Sequence, residues 1–198
     1  MEQNRRCSWV NEQSELYCKY HDEEWGTPIR DDAKMYELFL LELFQAGLSW
    51  VTILKKREAF RAAFDGFDVE KIARYGEEKI GQLLMNADII RSRRKIEAAV
   101  VNARAVLEIQ REYGSFCRYL WSFSNGKVIR NPSESYRTVS KLSDRITEDM
   151  KRRGIRYAGS VTIYSFLQAA GMINDHETAC FRCRQLLEET GMENIVYE

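Results

Sequence analysis

Apolar positions recur every three or four residues along most of this 198-residue chain, and glycines punctuate the recurrence. Asp31 or Asp32 is placed to cap a helix that runs to Ala46 and stops at Gly47. Ser49 caps the next, through Phe64, ahead of Asp65-Gly66. Asp68 opens a short helix closed by Gly76, and 77–86 form another before the chain turns at Ala87-Asp88. A long helix over 92–113, with Ile96, Val100, Ala103 and Leu107 on one face, ends at Gly114. Ser115 starts a short aromatic helix over 116–123, and Asn125-Gly126 is a turn. The stretch to about Thr138, which contains Pro132, reads as a loop or a small β excursion. Helices are predicted again over 143–153, 160–170 and 174–189, with Gly154, Gly171 and Gly191 as stops. Two-residue alternation is nearly absent, as are repeats and low-complexity linkers. The pattern therefore predicts an all-α protein, with one domain spanning 1–198 or two interdependent helical lobes and a peripheral tail after about 185.

Composition narrows the class. With 44% hydrophobic and 30% charged residues, the chain has the make-up of an ordinary soluble globular protein and is long enough for a real core. No apolar stretch approaches the ~18 residues needed to span a bilayer. The first residues lead into polar sequence rather than the apolar run of a signal peptide. Five cysteines, an odd number, without an export signal predict reduced thiols and a cytoplasmic location. Thirty basic and thirty acidic residues cancel, so net charge does not point to nucleic acid. Lys55-Lys56-Arg57, Arg91-Ser-Arg-Arg-Lys95 and Lys151-Arg-Arg153 are local basic clusters that could follow a phosphate backbone, although a solvated helix face explains any one of them more simply.

The chain's two histidines, His21 and His176, each lie near cysteines at opposite ends of the sequence. Cys7 precedes His21 by fourteen residues, and Cys180 follows His176 by four, a spacing that shares one helix face. Two thiolates and two imidazoles make a closed, structural zinc set. Cys18 and Cys183 fall at plausible ligand spacings too, and scattered thiols with ordinary histidines fit the same sequence. Glu42 is the only carboxylate in Leu38-Phe-Leu-Leu-Glu-Leu-Phe44. It is expected to be at least partly buried with a raised pKa, either paired structurally or functional. Trp50, Tyr20, Trp25 and Trp9 are core candidates taken singly. Grouped beside a buried carboxylate, they would suit a flat cationic heterocycle, which wants aromatic faces and an anion at its edge.

Cys7-x-Trp9, Tyr20-His-Asp-x-Glu-Trp-Gly26, Leu41-Glu-x-x-Gln-Ala-Gly-Leu-Ser-Trp50, Tyr119-Leu-Trp-Ser-Phe123 and Asn174-Asp-His176 followed by Cys180 resemble the 3-methyladenine DNA glycosylase I family. The resemblance implies the all-α helix-hairpin-helix glycosylase fold, with structural zinc joining the two ends of the chain through Cys7, His21, His176 and Cys180. It implies base contacts from Glu42, as the catalytic residue, and Tyr20, stacking on Trp50, and Trp9 and Trp25 alongside. The DNA grip would come from a hairpin over 83–96 with Arg91, Arg93, Arg94 and Lys95. The implied partners are alkylated double-stranded DNA and free 3-methyladenine as product, with a monomeric enzyme and hydrolysis by water. A zinc-stapled DNA-binding module without catalysis is the alternative from another class. Three positions depart from the family pattern. Asp88 replaces a hairpin glycine, where a carboxylate would repel phosphate. Leu43 replaces another, so a bulkier pocket wall is expected. Ser160-Val-Thr-Ile163 replaces a run usually richer in threonine.

Overall fold

Several helix starts are fixed by side-chain oxygens at the marked positions. Ser49, expected to cap the helix after Gly47, makes no side-chain bond to that helix's backbone and meets the Thr52 hydroxyl instead. Asp31 accepts from the Lys34 N–H at 2.8 Å and opens α2, Asp32–Gln45. α3, Trp50–Ala63, follows Ser49. Asp68 accepts from the Lys71 N–H at 3.0 Å to open α4, Val69–Ala73. α5 is Glu77–Met85, and α6, Arg93–Tyr113, ends at Gly114 with φ 80°. Ser115 caps α7, Phe116–Ser122. The computed structural model describes residues 5–130 and 137–197, so positions 131–136 of the predicted loop around Pro132 lie outside the described residues. α8, Lys141–Arg152, starts two residues before the expected position, because Ser140 and Ser143 cap each other reciprocally. α9 is Ser160–Ala169 and α10 is Phe181–Thr190.

Ten consecutive residues of α2, 35–44, are buried. A helix that is apolar all round belongs at the centre, and α2 packs against α3, α6, α7 and α9. Glu42 is carried into the interior by this helix.

Three features differ from the pattern-based expectation. Residues 15–24 form α1, Glu15–Lys19, running on into one π-helical turn, Tyr20–Glu24, which the mostly polar sequence did not signal. The wider turn leaves neighbouring Tyr20 and His21 both buried. The helix predicted over 174–189 begins only after Cys180. The Asn174 side chain accepts from the His176 N–H at 3.2 Å, a local bond that competes with helix, and 175–180 are irregular. His176 and Cys180 therefore do not share a helix face. A small sheet accompanies the helices, in order β2-β1-β3 and parallel throughout. Its first strand is β1, Val128–Arg130, which lies within the stretch read as a loop or a small β excursion. The others, β2, Ile173–Asn174, and β3, Ile195–Tyr197, are not expected from the pattern and are too short to show alternation in sequence.

The N-terminal segment lies across the α9–β2 turn, with the Ile29 N–H donating to the Ala170 carbonyl at 3.0 Å. Gly171 makes this approach possible. It has φ 68°, and a Cβ there would lie 2.3 Å from the Thr27 carbonyl carbon. Among the described residues, no helix is long and apolar enough to cross a membrane.

Asp32 ties three helices together. Its carboxylate accepts from Gln110 Nε2 at 2.8 Å, the Phe116 N–H at 3.0 Å and the Cys117 N–H at 2.6 Å. Burial opposes ionisation, but these bonds outweigh it and hold the pKa below the usual value. A depressed carboxylate pKa stabilises the fold above the unfolded value of about 3.9 and ceases to do so as pH falls through the folded value. Asp32→Ala is expected to cost about 1–3 kcal/mol at pH 7. The gap between variant and wild type should narrow as pH falls below the unfolded value of about 3.9, as urea denaturation at pH 7 and in acid will measure.

Candidate active site and metal centre

Cys7, His21, His176 and Cys180 converge from the two ends of the chain, all buried, with their ligand atoms within 4.8 Å of one another. Cys7 Sγ lies 3.4 Å from His176 Nδ1, and Cys180 Sγ lies 3.4 Å from His21 Nε2 and 3.5 Å from His176 Nδ1. Each imidazole is oriented from its other nitrogen. His21 Nδ1 is 2.8 Å from Asp22 Oδ1, which is itself gripped by Arg6, and His176 Nε2 is 3.0 Å from the Trp25 carbonyl. That outer layer is what a metal-ligating histidine requires. The Cys180 thiol is pushed well below its ordinary value, first by a hydrogen bond from Cys7 and further by His176 and His21, against the opposing effect of burial. The group can hold a metal ion. Cys18 and Cys183 stand outside it.

Backbone bonds close the same junction. The Phe181 N–H donates to the Arg5 carbonyl at 2.9 Å, and the Ser8 N–H donates to Glu177 Oε1 at 2.7 Å. At Gly26, with φ 79°, a Cβ would fall 2.8 Å from His176 Nε2.

Of the four clustered side chains, His176 also lines a cavity of about 680 Å³. Glu42 from α2, Trp50 from α3, and Tyr20, Trp9 and Trp25 from the N-terminal segment all line it, together with His176. Tyr20 and Trp50 face each other with ring centroids 5.5 Å apart, and Trp9 meets Trp25 edge-on at 4.9 Å. Trp25 also packs on the His176 ring at 4.5 Å, and Trp9 on His21 at 5.4 Å. These two tryptophans join the metal cluster to the cavity. Glu42 is 4% exposed. Burial pushes its pKa up to about 8, with no opposing charge or hydrogen bond among the described residues. Trp50 Nε1 is buried without a partner among the described residues.

An aromatic-walled cavity holding an uncompensated carboxyl group is a site built for a ligand. The methyladenine glycosylase family profile matches residues 9–183. This chain belongs to that family. It is 43% identical over 178 residues to DNA-3-methyladenine glycosylase 1 of Escherichia coli (strain K12), covering 88% of this chain and 95% of that protein. Among solved structures, a 3-methyladenine DNA glycosylase I superposes with a TM-score of 0.84 at 46% identity, covering 89% of this chain and 98% of that one. A variant of 3-methyladenine DNA glycosylase I in complex with 3-methyladenine gives a TM-score of 0.82 at 38% identity, covering 85% and 92%.

The stretch 83–96, expected to be a hairpin, spans the end of α5, the turn over 86–92 and the start of α6. Its four basic residues play different parts. Arg93 Nη1 is paired with Glu77 and Glu97 at 3.2 and 3.3 Å. Lys95 Nζ points back into the protein and donates to the Phe44 and Ala46 carbonyls. Arg91 and Arg94 are exposed. Ser92 makes no side-chain cap bond, so the first N–H groups of α6 are left for an outside acceptor. Asp88 is exposed and keeps a negative φ, so its position needs no glycine. Leu43 is buried in the core and does not line the cavity, so the bulkier pocket wall expected from it does not arise. Ser160 likewise turns to Asp144 and Ser143 of α8.

Several lining residues were not marked by sequence reasoning. Gln45 and Asp175 lie inside the recognised motifs, but no spacing rule singles them out. Arg130, Ser165 and Gln168 carry no local signal. Asp175 is held by Tyr164 and by Gln168 Nε2 at 2.8 Å.

Two predictions follow from this geometry. Cys180→Ser should lower the bound metal measured by mass spectrometry and reduce stability by on the order of 3 kcal/mol; full metal content in a Cys7→Ser, Cys180→Ser double variant would exclude this cluster. For Glu42 the sign is opposite to that of Asp32. The folded state keeps the proton up to about pH 8, whereas an unfolded glutamate releases it near ~4.3, so the fold loses stability as pH rises between them. Glu42→Gln removes that loss. It should be more stable than wild type by a few kcal/mol, about 2–4, at pH 9 and indistinguishable from it near pH 4, as thermal melts in the two buffers will show.

Proposed function

We infer that this protein is a base-excision repair glycosylase that removes 3-methyladenine from alkylated DNA and leaves an abasic site. Membership of the methyladenine glycosylase family supports this, and the observation that carries the chemistry is Glu42, buried and uncompensated in an aromatic-lined cavity. Methylation at N3 makes adenine cationic within DNA and weakens its bond to the sugar. The base must be drawn out of the stack to be reached. Trp50 and Tyr20 receive its faces, and Glu42 meets its cationic edge. Arrival of the cation favours ionisation of Glu42, so an acid that is largely protonated in the empty cavity becomes the countercharge. Water then attacks C1′, the N9–C1′ electron pair passes to the purine and cancels its charge, and the water proton leaves to solvent. The leaving base needs no proton from the enzyme. Among the described residues no lysine lines the cavity, which supports attack by water rather than an enzyme amine.

The metal reading extends to zinc. A tetrahedron with zinc's bond lengths to sulfur and nitrogen has S···N edges of about 3.6 Å, close to the 3.4–3.5 Å separations here. With four protein ligands the ion supplies cohesion between the chain ends, leaving the chemistry to Glu42 and water. The DNA grip is assigned to Arg91, Arg94 and the N-terminus of α6, which offers N–H groups to a phosphate. The reading includes duplex DNA as substrate and a monomeric cytoplasmic enzyme.

Release of free base from methylated duplex DNA tests the function. Wild type should release 3-methyladenine, with no protein–DNA adduct trapped by borohydride. Trp50→Ala should reduce kcat/KM by about 5- to 150-fold, the worth of one base–aromatic stack. Binding of methylated duplex without release would instead identify a DNA-binding module on the same scaffold.

A further inference from the structure

Lys95 lies in the first turn of α6, the positive end of that helix's dipole and an unfavourable place for a cation. Its position is explained by a different helix. Nζ reaches the C-terminal end of α2 and donates to the Ala46 carbonyl at 2.7 Å and the Phe44 carbonyl at 2.9 Å. These carbonyls are at the negative end of α2, four and two residues beyond Glu42 and just before the turn that leads to Trp50. A second lysine makes the reciprocal connection. Lys56 of α3, the helix that carries Trp50, donates to the Asp88 carbonyl at 3.0 Å and the Ala87 carbonyl at 3.4 Å, in the hairpin turn. Each element thus lends an ammonium group to the free carbonyls of the other. Charge-assisted bonds of this kind are short and directional.

We propose that Lys56 and Lys95 form a clasp that fixes the hairpin in register with the base cavity, making both of them positioning residues for base excision. The inference rests on the glycosylase reading. A phosphate held at α6 and a base held at Glu42 and Trp50 belong to one strand, so the distance between the two sites decides whether the sugar carbon is presented to water. Small misplacement of a reacting centre is expensive in rate. The free base touches only the cavity and does not sense the hairpin.

Lys95→Met, Lys56→Met and the double variant would be compared with wild type in single-turnover release from methylated duplex, and in calorimetric binding of free 3-methyladenine. The expected result is a fall in the single-turnover rate of at least tenfold for Lys95→Met and a larger one for the double variant, with free-base Kd within twofold of wild type. Lys95→Arg, which keeps donors at the α2 carbonyls, should recover part of the rate. Unchanged rates would overturn the clasp. Equal loss of rate and free-base affinity would overturn it too, because the lysines would then only support the cavity. If Lys95→Met fails to fold, Lys56→Met, altered at a half-exposed site, gives the same reading. A wild type that releases no base would end the glycosylase reading instead. The clasp would then be judged by hydrogen exchange, where faster exchange in Lys56→Met at both the 86–90 turn and the 44–50 turn supports it and a change confined to 86–90 refutes it.

Discussion

The buried junction of Cys7, His21, His176 and Cys180 joins segments about 170 residues apart in sequence, and the cavity depends on it. Chain ends are ordinarily the first parts of a domain to fray. Here the N-terminal segment delivers Trp9, Tyr20 and Trp25 to the cavity, while the C-terminal segment delivers Asp175 and His176. Neither segment has a long helix of its own to hold these side chains. α1 and its π turn are short, and 175–180 are irregular. Asp22 and the Trp25 carbonyl orient the two imidazoles, and a metal ion held by the four side chains would cross-link the two segments and stiffen that side of the cavity.

Against that closed wall stands α2, whose burial on every side creates the electrostatics of the site. Placing a carboxylate among Leu38, Phe39, Leu41 and Phe44 costs stability, and Glu42 answers by keeping its proton to about pH 8. Structural carboxylates in the same protein behave differently. Glu37, five residues earlier on α2, is met by Arg57 and Arg61, and Asp32 is met by two backbone N–H groups and an amide. Among the described residues, buried Glu37 and half-buried Asp32 are satisfied, whereas Glu42 is left open to the cavity. Such an arrangement favours a ligand that brings its own positive charge.

Much of the helical framework was legible in the sequence because its signals are local. Asp31, Asp68, Ser115, Gly47 and Gly114 act within one turn of where they stand, and they set the ends of α2, α4, α7 and α6 as expected. Where a local signal had a competitor, the expectation slipped. The apolar spacing near 174–189 suggested helix, but the Asn174 side chain captured the His176 N–H and the chain stayed open until Cys180. The short strands pair residues far apart in sequence, such as Ile129 with Ile173 and Val196, so local sequence hinted at β1 alone and held no cause for β2 and β3.

By itself, the sequence determined the residue types on which the chemistry rests: one carboxylate in an apolar helix, four tryptophans, and two cysteine–histidine pairs at the chain's ends. Its motifs also determined the family. Tertiary structure decided which of those residues meet. It left Cys18 and Cys183 out of the cluster, turned Leu43 into the core, and brought Arg130, Ser165 and Gln168 to the cavity without any local mark. It also divided the basic run 91–95, pairing Arg93 with acids, sending Lys95 to another helix and leaving Arg91 and Arg94 at the surface. The physical reason is the range of the forces. Helix caps and periodicity act over a few residues, whereas burial, charge pairing and ligand geometry depend on distances that exist only after the chain has folded.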